Sequence, residues 1–123
     1  MGKYKVSIDK IVCLESADPN GHDEVWLLAQ GDAGTPNRYP QSATATYSMN
    51  SSGDSTWMID GDFTFEFDRS AILTLYEQDL KLDINTTDFL GNARFTSGAG
   101  ASGTKSCTNG DDSSYQVYFT MTG

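Results

Sequence analysis

Apolar and polar residues alternate with a period of two along most of this chain. Tyr4, Val6 and Ile8 alternate with Lys3, Lys5, Ser7 and Asp9, the pattern of a strand with one buried face. The strand continues through Ile11-Val12-Cys13-Leu14, with a bulge expected near Lys10. Glu24 to Ala29 is a short apolar strand, and Gln41 to Met49 reads as a strand with Ala43, Ala45, Tyr47 and Met49 on one face. Asp62 to Asp68 alternates most cleanly, with Phe63, Phe65 and Phe67 inward and Thr64 and Glu66 outward. Ala71 to Tyr76 sets Leu73 and Leu75 on one face, Phe89 opens a further strand that runs to Phe95, and Tyr115, Val117, Phe119 and Met121 share the inner face of the last one.

Between these strands lie Pro, Asn, Gly, Asp and Ser, which supply the fixed or positive φ that tight turns need. Examples are Asp18-Pro19-Asn20-Gly21, Gly31 to Asn37 and Asn50 to Ser55. No stretch keeps a helical period. Short alternating strands with frequent turn signals predict an all-β, eight-stranded antiparallel β-sandwich of Greek-key type, with one solvated face to each sheet. The whole of 1–123 reads as a single domain, and Gly98 to Gly103 as a flexible loop within it, since too little chain follows to fold alone.

Composition narrows what such a sandwich does. Eight Lys and Arg against 17 Asp and Glu give a net charge of −9, too few cations to track a phosphate backbone, so nucleic acid is excluded as a partner. The same balance argues against metal-free binding to anionic lipid. No run approaches the roughly 18 apolar residues of a membrane span. The start, MGKYKVSID, has no apolar signal core, so the expectation is a cytoplasmic chain or one from which such a signal has been removed. Cys13 and Cys107 form no C-x-x-C pair and are read either as a disulfide or as two buried thiols.

Histidine occurs once, at His22, which rules out a zinc site built on several histidines. Paired carboxylates could in principle serve glycoside hydrolysis. Nothing in the sequence puts one acid in an apolar pocket, and the chain is not expected to be an enzyme. Trp26 and Trp57 are expected to pack in the fold rather than to serve as carbohydrate platforms.

Three acidic loops stand out: Asp18 to Asp23, the turn around Asp54, and Glu77 to Asp88. Like charges held close repel unless a cation sits among them. Carboxylates from separate loops of a sandwich can converge on one end and supply the six to eight oxygens that Ca²⁺ takes. A merely solvated acidic surface is the alternative at this point. No EF-hand loop is present.

Three motifs in order resemble one family. Leu14, Asp18-Pro19-Asn20-Gly21-His22-Asp23 and Val25-Trp26-Leu27-Leu28 form the first; Met49-Asn50, Asp54, Trp57 and Phe63-Thr64-Phe65-Glu66-Phe67 the second; Leu73-Thr74-Leu75-Tyr76-Glu77-Gln78-Asp79 and Asp88-Phe89-Leu90-Gly91 the third. Together they resemble the C2 domain, a calcium-dependent phospholipid-binding sandwich. One strand before the first acidic loop and an extra strand at the end resemble the permuted topology of its cytosolic phospholipase-type members. The departures are Glu24 where the family has a proline, Glu77 in place of an aspartate, Gly53-Asp54 in place of an Asn-Pro turn, and extra residues before Asp88.

The resemblance implies Ca²⁺ as cofactor, with Asp18, Asp23, Glu77, Asp79 and Asp88 as ligands and Asp54 and Asn50 as further candidates. It implies a tip, Leu80, Leu82 and Ile84, that enters a phospholipid membrane surface, although these residues could equally fold back as a short strand. The expected protein is a monomeric peripheral module, membrane-associated or secreted. The rival reading is an extracellular structural or adhesive sandwich with a protein or glycan partner, in which Ca²⁺ only stiffens loops.

Overall fold

The computed structural model describes residues 3–17, 22–32, 34–42, 45–79, 86–96, 98, 102–109 and 113–123, with the backbone alone at 79 and 86–88. It is all-β. The strands are β1 (Tyr4–Glu15), β2 (Asp23–Gly31), β3 (Asn37–Tyr39), β4 (Tyr47–Met49), β5 (Thr56–Phe67), β6 (Ser70–Asp79), β7 (Thr86–Thr96), β8 (Ser102–Asn109) and β9 (Ser113–Thr122). One antiparallel sheet has the order β5-β1-β9-β8. The other has β3-β2-β6-β7, with β4 also paired to β2.

Eight strands were expected and nine are described, yet the architecture has eight positions. β3 pairs with Leu27 to Ala29 of β2 and β4 with Asp23 to Val25, so the two short strands share one interrupted edge. That interruption corrects the strand expected over Gln41 to Met49, of which only Tyr47–Met49 pairs; Ala43 lies outside the described residues. The second correction is β8. Its Gly- and Ser-rich start was read as loop, but Ser102–Asn109 pairs with β9 from Thr120 back to Ser113.

The bulge in β1 follows from its side-chain pattern. Val6 and Ile8 are buried, and so are Ile11 and Cys13, which requires one extra residue between two in-phase runs. Asp9 is that residue: Ile8 pairs with Phe63 and Phe119, while Lys10 pairs with Met58 and Tyr118. Opposite it, β5 turns through Asp60 and Gly61 at φ 54° and 84°, so each half of β5 keeps its own inward face.

The two inner faces meet in one apolar core. Phe65 of β5 packs edge-on against Phe95 of β7 at 5.5 Å between ring centroids, and Phe95 against Phe119 of β9 at 4.9 Å. These contacts join the sheets. At the open side between β3, β4 and β5, Tyr39 and Tyr47 both stack on Trp57, at 5.6 and 4.9 Å, and close the core. Trp57 is thus a core residue. Trp26 points the other way: on the outer face of its sheet it stacks on Tyr76 at 4.7 Å, with the Arg38 guanidinium 4.4 Å from its ring.

Candidate metal centre

Strand direction decides which loops can meet. β1, β4, β6 and β8 end, and β2, β5, β7 and β9 begin, at the same pole of the sandwich, because every pairing between them is antiparallel. The connections carrying Asp18 to His22, Asn50 to Ser55 and the residues after Asp79 therefore all leave from that pole. The β8–β9 connection, Gly110-Asp111-Asp112 in sequence, joins strand ends at the same pole and was not singled out from sequence.

Register brings the acidic positions together within one sheet. Glu77 on β6 lies between Val25 of β2 and Asp88 of β7. Continuing the β2–β6 register by two residues sets Asp79 level with Asp23. Asp23, Glu77, Asp79 and Asp88 thus occupy neighbouring backbone positions at one end of β2, β6 and β7. Asp18 lies outside the described residues, as do Leu80, Leu82 and Ile84, and the side chains of Asp79 and Asp88 are not described.

Asp23 is the best defined of these acids. It is fully buried, at the first position of β2, on the same face as Val25 and Leu27. One carboxylate oxygen, Oδ2, accepts the backbone N–H of Ala17 at 2.8 Å and the hydroxyl of Tyr115 at 2.5 Å. The first bond anchors the chain leaving β1; the second crosses from β9 in the opposite sheet. Burial, and then the adjacent Asp23 carboxylate, pushes the Tyr115 phenol far above its ordinary range and keeps it a donor.

Asp54 is placed differently. Its carboxylate lies 2.7 Å from Nε2 of His22, in an exposed contact between the β1–β2 loop and the β4–β5 turn. Asn50 builds that turn: its side-chain oxygen accepts the N–H groups of Ser52 and Asp54, at 3.1 and 3.0 Å. Asn50 therefore orders the loop from within.

The described carboxylates at this pole, Asp23, Asp54 and Glu77, offer oxygens, the donor type that suits a hard cation such as Ca²⁺. Among the described residues no three His, Cys, Asp or Glu side chains gather as a metal-holding group. Cys13 is close by, but it is a core thiol beside Tyr115, and burial raises its pKa.

Comparison with solved structures identifies the architecture. A C2 domain of plant extended synaptotagmin 1 superposes with a TM-score of 0.63 over 96% of this chain and 92% of its own, at 11% identity. A further C2 domain structure gives 0.56 over 98% and 97%, also at 11% identity. The chain has the C2 fold. Human GIVD cytosolic phospholipase A2, in complex with methyl gamma-linolenyl fluorophosphonate and terbium chloride, gives 0.54 at 14% identity over 96% of this chain. No family model matches the sequence, and no curated protein does.

The phospholipase is matched over 16% of its own length. The first and last strands, β1 and β9, pair antiparallel in one sheet. No described helix is long and apolar enough to cross a membrane.

The opposite pole of this C2 fold carries a polar knot that sequence reading passed over as a turn. Asp32, at φ 50°, accepts the backbone N–H groups of Asp68, Arg69 and Ser70 at 2.5, 2.8 and 3.2 Å, and its own N–H donates to the Ser70 carbonyl at 2.8 Å. The N–H groups of Asp68 and Arg69 hold its carboxyl below the usual carboxylate range. This is a structural clamp between the β2 end and the β5–β6 turn. Only a sequence signal for an Asx-type turn, Gly-Asp-Ala-Gly, hinted at it.

Proposed function

We propose that this chain is a Ca²⁺-binding C2 module that docks reversibly on phospholipid membranes. The observation that carries the reading is the β2–β6–β7 register, which gathers the positions of Asp23, Glu77, Asp79 and Asp88 at one end of one sheet. In the reading, Asp18 and Asp54 complete the oxygen set from the neighbouring loops. Ca²⁺ cancels charge on a body of net −9 and bridges to lipid phosphate, and Leu80, Leu82 and Ile84 enter the interface. Burying each of these three would contribute roughly 1.5–3 kcal/mol before ordering costs. One phospholipase structure of the same fold is a complex with terbium chloride, and terbium is likewise a hard, oxygen-seeking cation.

The test combines a calorimetric Ca²⁺ titration with thermal melts and vesicle sedimentation. A cation bound only by the folded state stabilises it by about 2.7 kcal/mol at a hundredfold excess over Kd. The expected result is a raised melting temperature, and sedimentation with phosphatidylcholine and phosphatidylserine vesicles in Ca²⁺ that is lost in chelator. Absence of both effects would remove the proposal. Ca²⁺ binding without sedimentation would favour the extracellular adhesive reading, which has meanwhile lost one support, because both cysteines are free.

A further inference from the structure

Tyr115 is a tyrosine where a phenylalanine would complete the core. It is fully buried on β9, flanked by Cys13 on β1 and Cys107 on β8. A hydroxyl taken out of water is costly unless it is bonded. This one crosses the gap between the sheets and donates to Oδ2 of Asp23, on the first residue of β2. The same oxygen accepts the Ala17 N–H from the β1–β2 loop.

We infer that Tyr115 is a positioning residue for the cation site at the acidic pole: its hydroxyl, with the Ala17 N–H, fixes the orientation in which the Asp23 carboxylate meets the metal. The inference rests on the Ca²⁺ reading above. Two donors on one carboxylate oxygen fix the plane of the group as well as its position. A ligating carboxylate held this way loses less freedom when the metal arrives, and partners of this kind around metal ligands typically matter 10–100-fold in metal affinity. The two donors come from different sources, one from the opposite sheet and one from the chain leaving β1. Tyr115 thereby holds Asp23 from the rigid core without itself touching the ion.

The experiment is calorimetric titration of the full chain with CaCl₂, comparing wild type, Tyr115→Phe and Phe119→Leu. Tyr115→Phe keeps the ring and removes the hydroxyl. Phe119→Leu loosens the same strand within the core and serves as the control for lost packing. The expected result is a Kd at least tenfold weaker for Tyr115→Phe and within twofold of wild type for Phe119→Leu, with both apo proteins folded by circular dichroism. Equal weakening in both variants would make Tyr115 merely structural and overturn the inference. So would a Tyr115→Phe Kd within twofold of wild type. If wild type binds no Ca²⁺, the functional reading falls, and this inference with it. A second readout needs no variant. In wild-type protein with ¹³C-labelled tyrosine, the Tyr115 Cζ resonance is expected to shift in step with the calorimetric isotherm, and a resonance unmoved at saturation would count against the inference.

Discussion

Gly91 of β7 lies directly against the backbone of Cys107 in β8. A Cβ at position 91 would stand 2.5 Å from both the Cys107 carbonyl carbon and the Thr108 nitrogen, closer than any real side chain tolerates. Gly91 also has φ 143°, a conformation other residues rarely adopt. β7 and β8 belong to different sheets, so the sandwich closes along this side through a contact that only glycine permits.

Gly91→Ala is therefore expected to destabilise the protein by on the order of 1–3 kcal/mol, as forced overpacking does. Gly53→Ala, where an added Cβ meets nothing within 4 Å, serves as the control and should change stability little. Urea unfolding of the two variants checks this; equal midpoints would mean that the β7–β8 contact is looser than described.

The cysteines offer a second test. Cys13 and Cys107 both pair with Tyr115, one from each side, so their Cα atoms are separated by two strand spacings, on the order of 10 Å. A disulfide needs Cα atoms within roughly 7 Å. Burial pushes the Cys107 thiol up to about 12. Ellman's reagent is expected to find both thiols in denaturant without prior reduction, and neither at pH 8 in the native state, because the thiolate is the reactive form. A mass 2 Da below the reduced chain would contradict this.

Stability should depend on pH through Asp32. Its carboxyl is held below the ordinary aspartate value of about 3.9 by backbone N–H donors. A folded-state pKa lowered in this way stabilises the fold at pH values above the unfolded value, and the contribution is lost as pH falls through the folded one. Asp32→Asn, which keeps the shape and removes the charge, is expected to unfold at lower denaturant than wild type at pH 7. The gap should narrow below about pH 4. A gap of constant size from pH 7 to pH 2.5 would show that the charge plays no part.

Much of this architecture could be read from alternation alone. Phe63, Phe65 and Phe67 are inward as their spacing requires, and the slip between Ile8 and Ile11 revealed the bulge, because both runs are apolar. β8 escaped because a strand at a sheet edge that buries only Cys107 leaves no alternation to see. β3 escaped because its three residues sit among loop-forming Pro and Asn, and pairing with β2 overrides that local preference. The acidic pole was legible as three loops of one charge. Its organising contact was not: Tyr115 and Asp23 are 92 residues apart, and while Asp23 reads as a candidate ligand, Tyr115 reads only as one more inward residue of the last strand.

That contact makes Asp23 and Asp54 unequal tests of the metal reading. Asp23 accepts two hydrogen bonds in full burial, and Asp23→Asn replaces an acceptor with a group whose amide half can only donate. Disturbing a buried bonded group costs about 1–3 kcal/mol with no metal present, so lost Ca²⁺ binding in that variant mixes ligand loss with local unfolding. Asp54 faces His22 with its side chain 61% exposed, and exposed pairs of this kind contribute only about 0.2–1 kcal/mol. Asp54→Asn is expected to keep the apo melting curve nearly unchanged while lowering the Ca²⁺-induced rise in melting temperature. Because His22 occupies the same carboxylate, His22→Ala is expected to act in the opposite direction, strengthening Ca²⁺ binding by freeing Asp54 for the cation. Thermal melts of the three proteins across a CaCl₂ series decide the matter: if Asp54→Asn and His22→Ala both follow wild type at every concentration, Asp54 is a turn residue and the cation, if bound, is held without it.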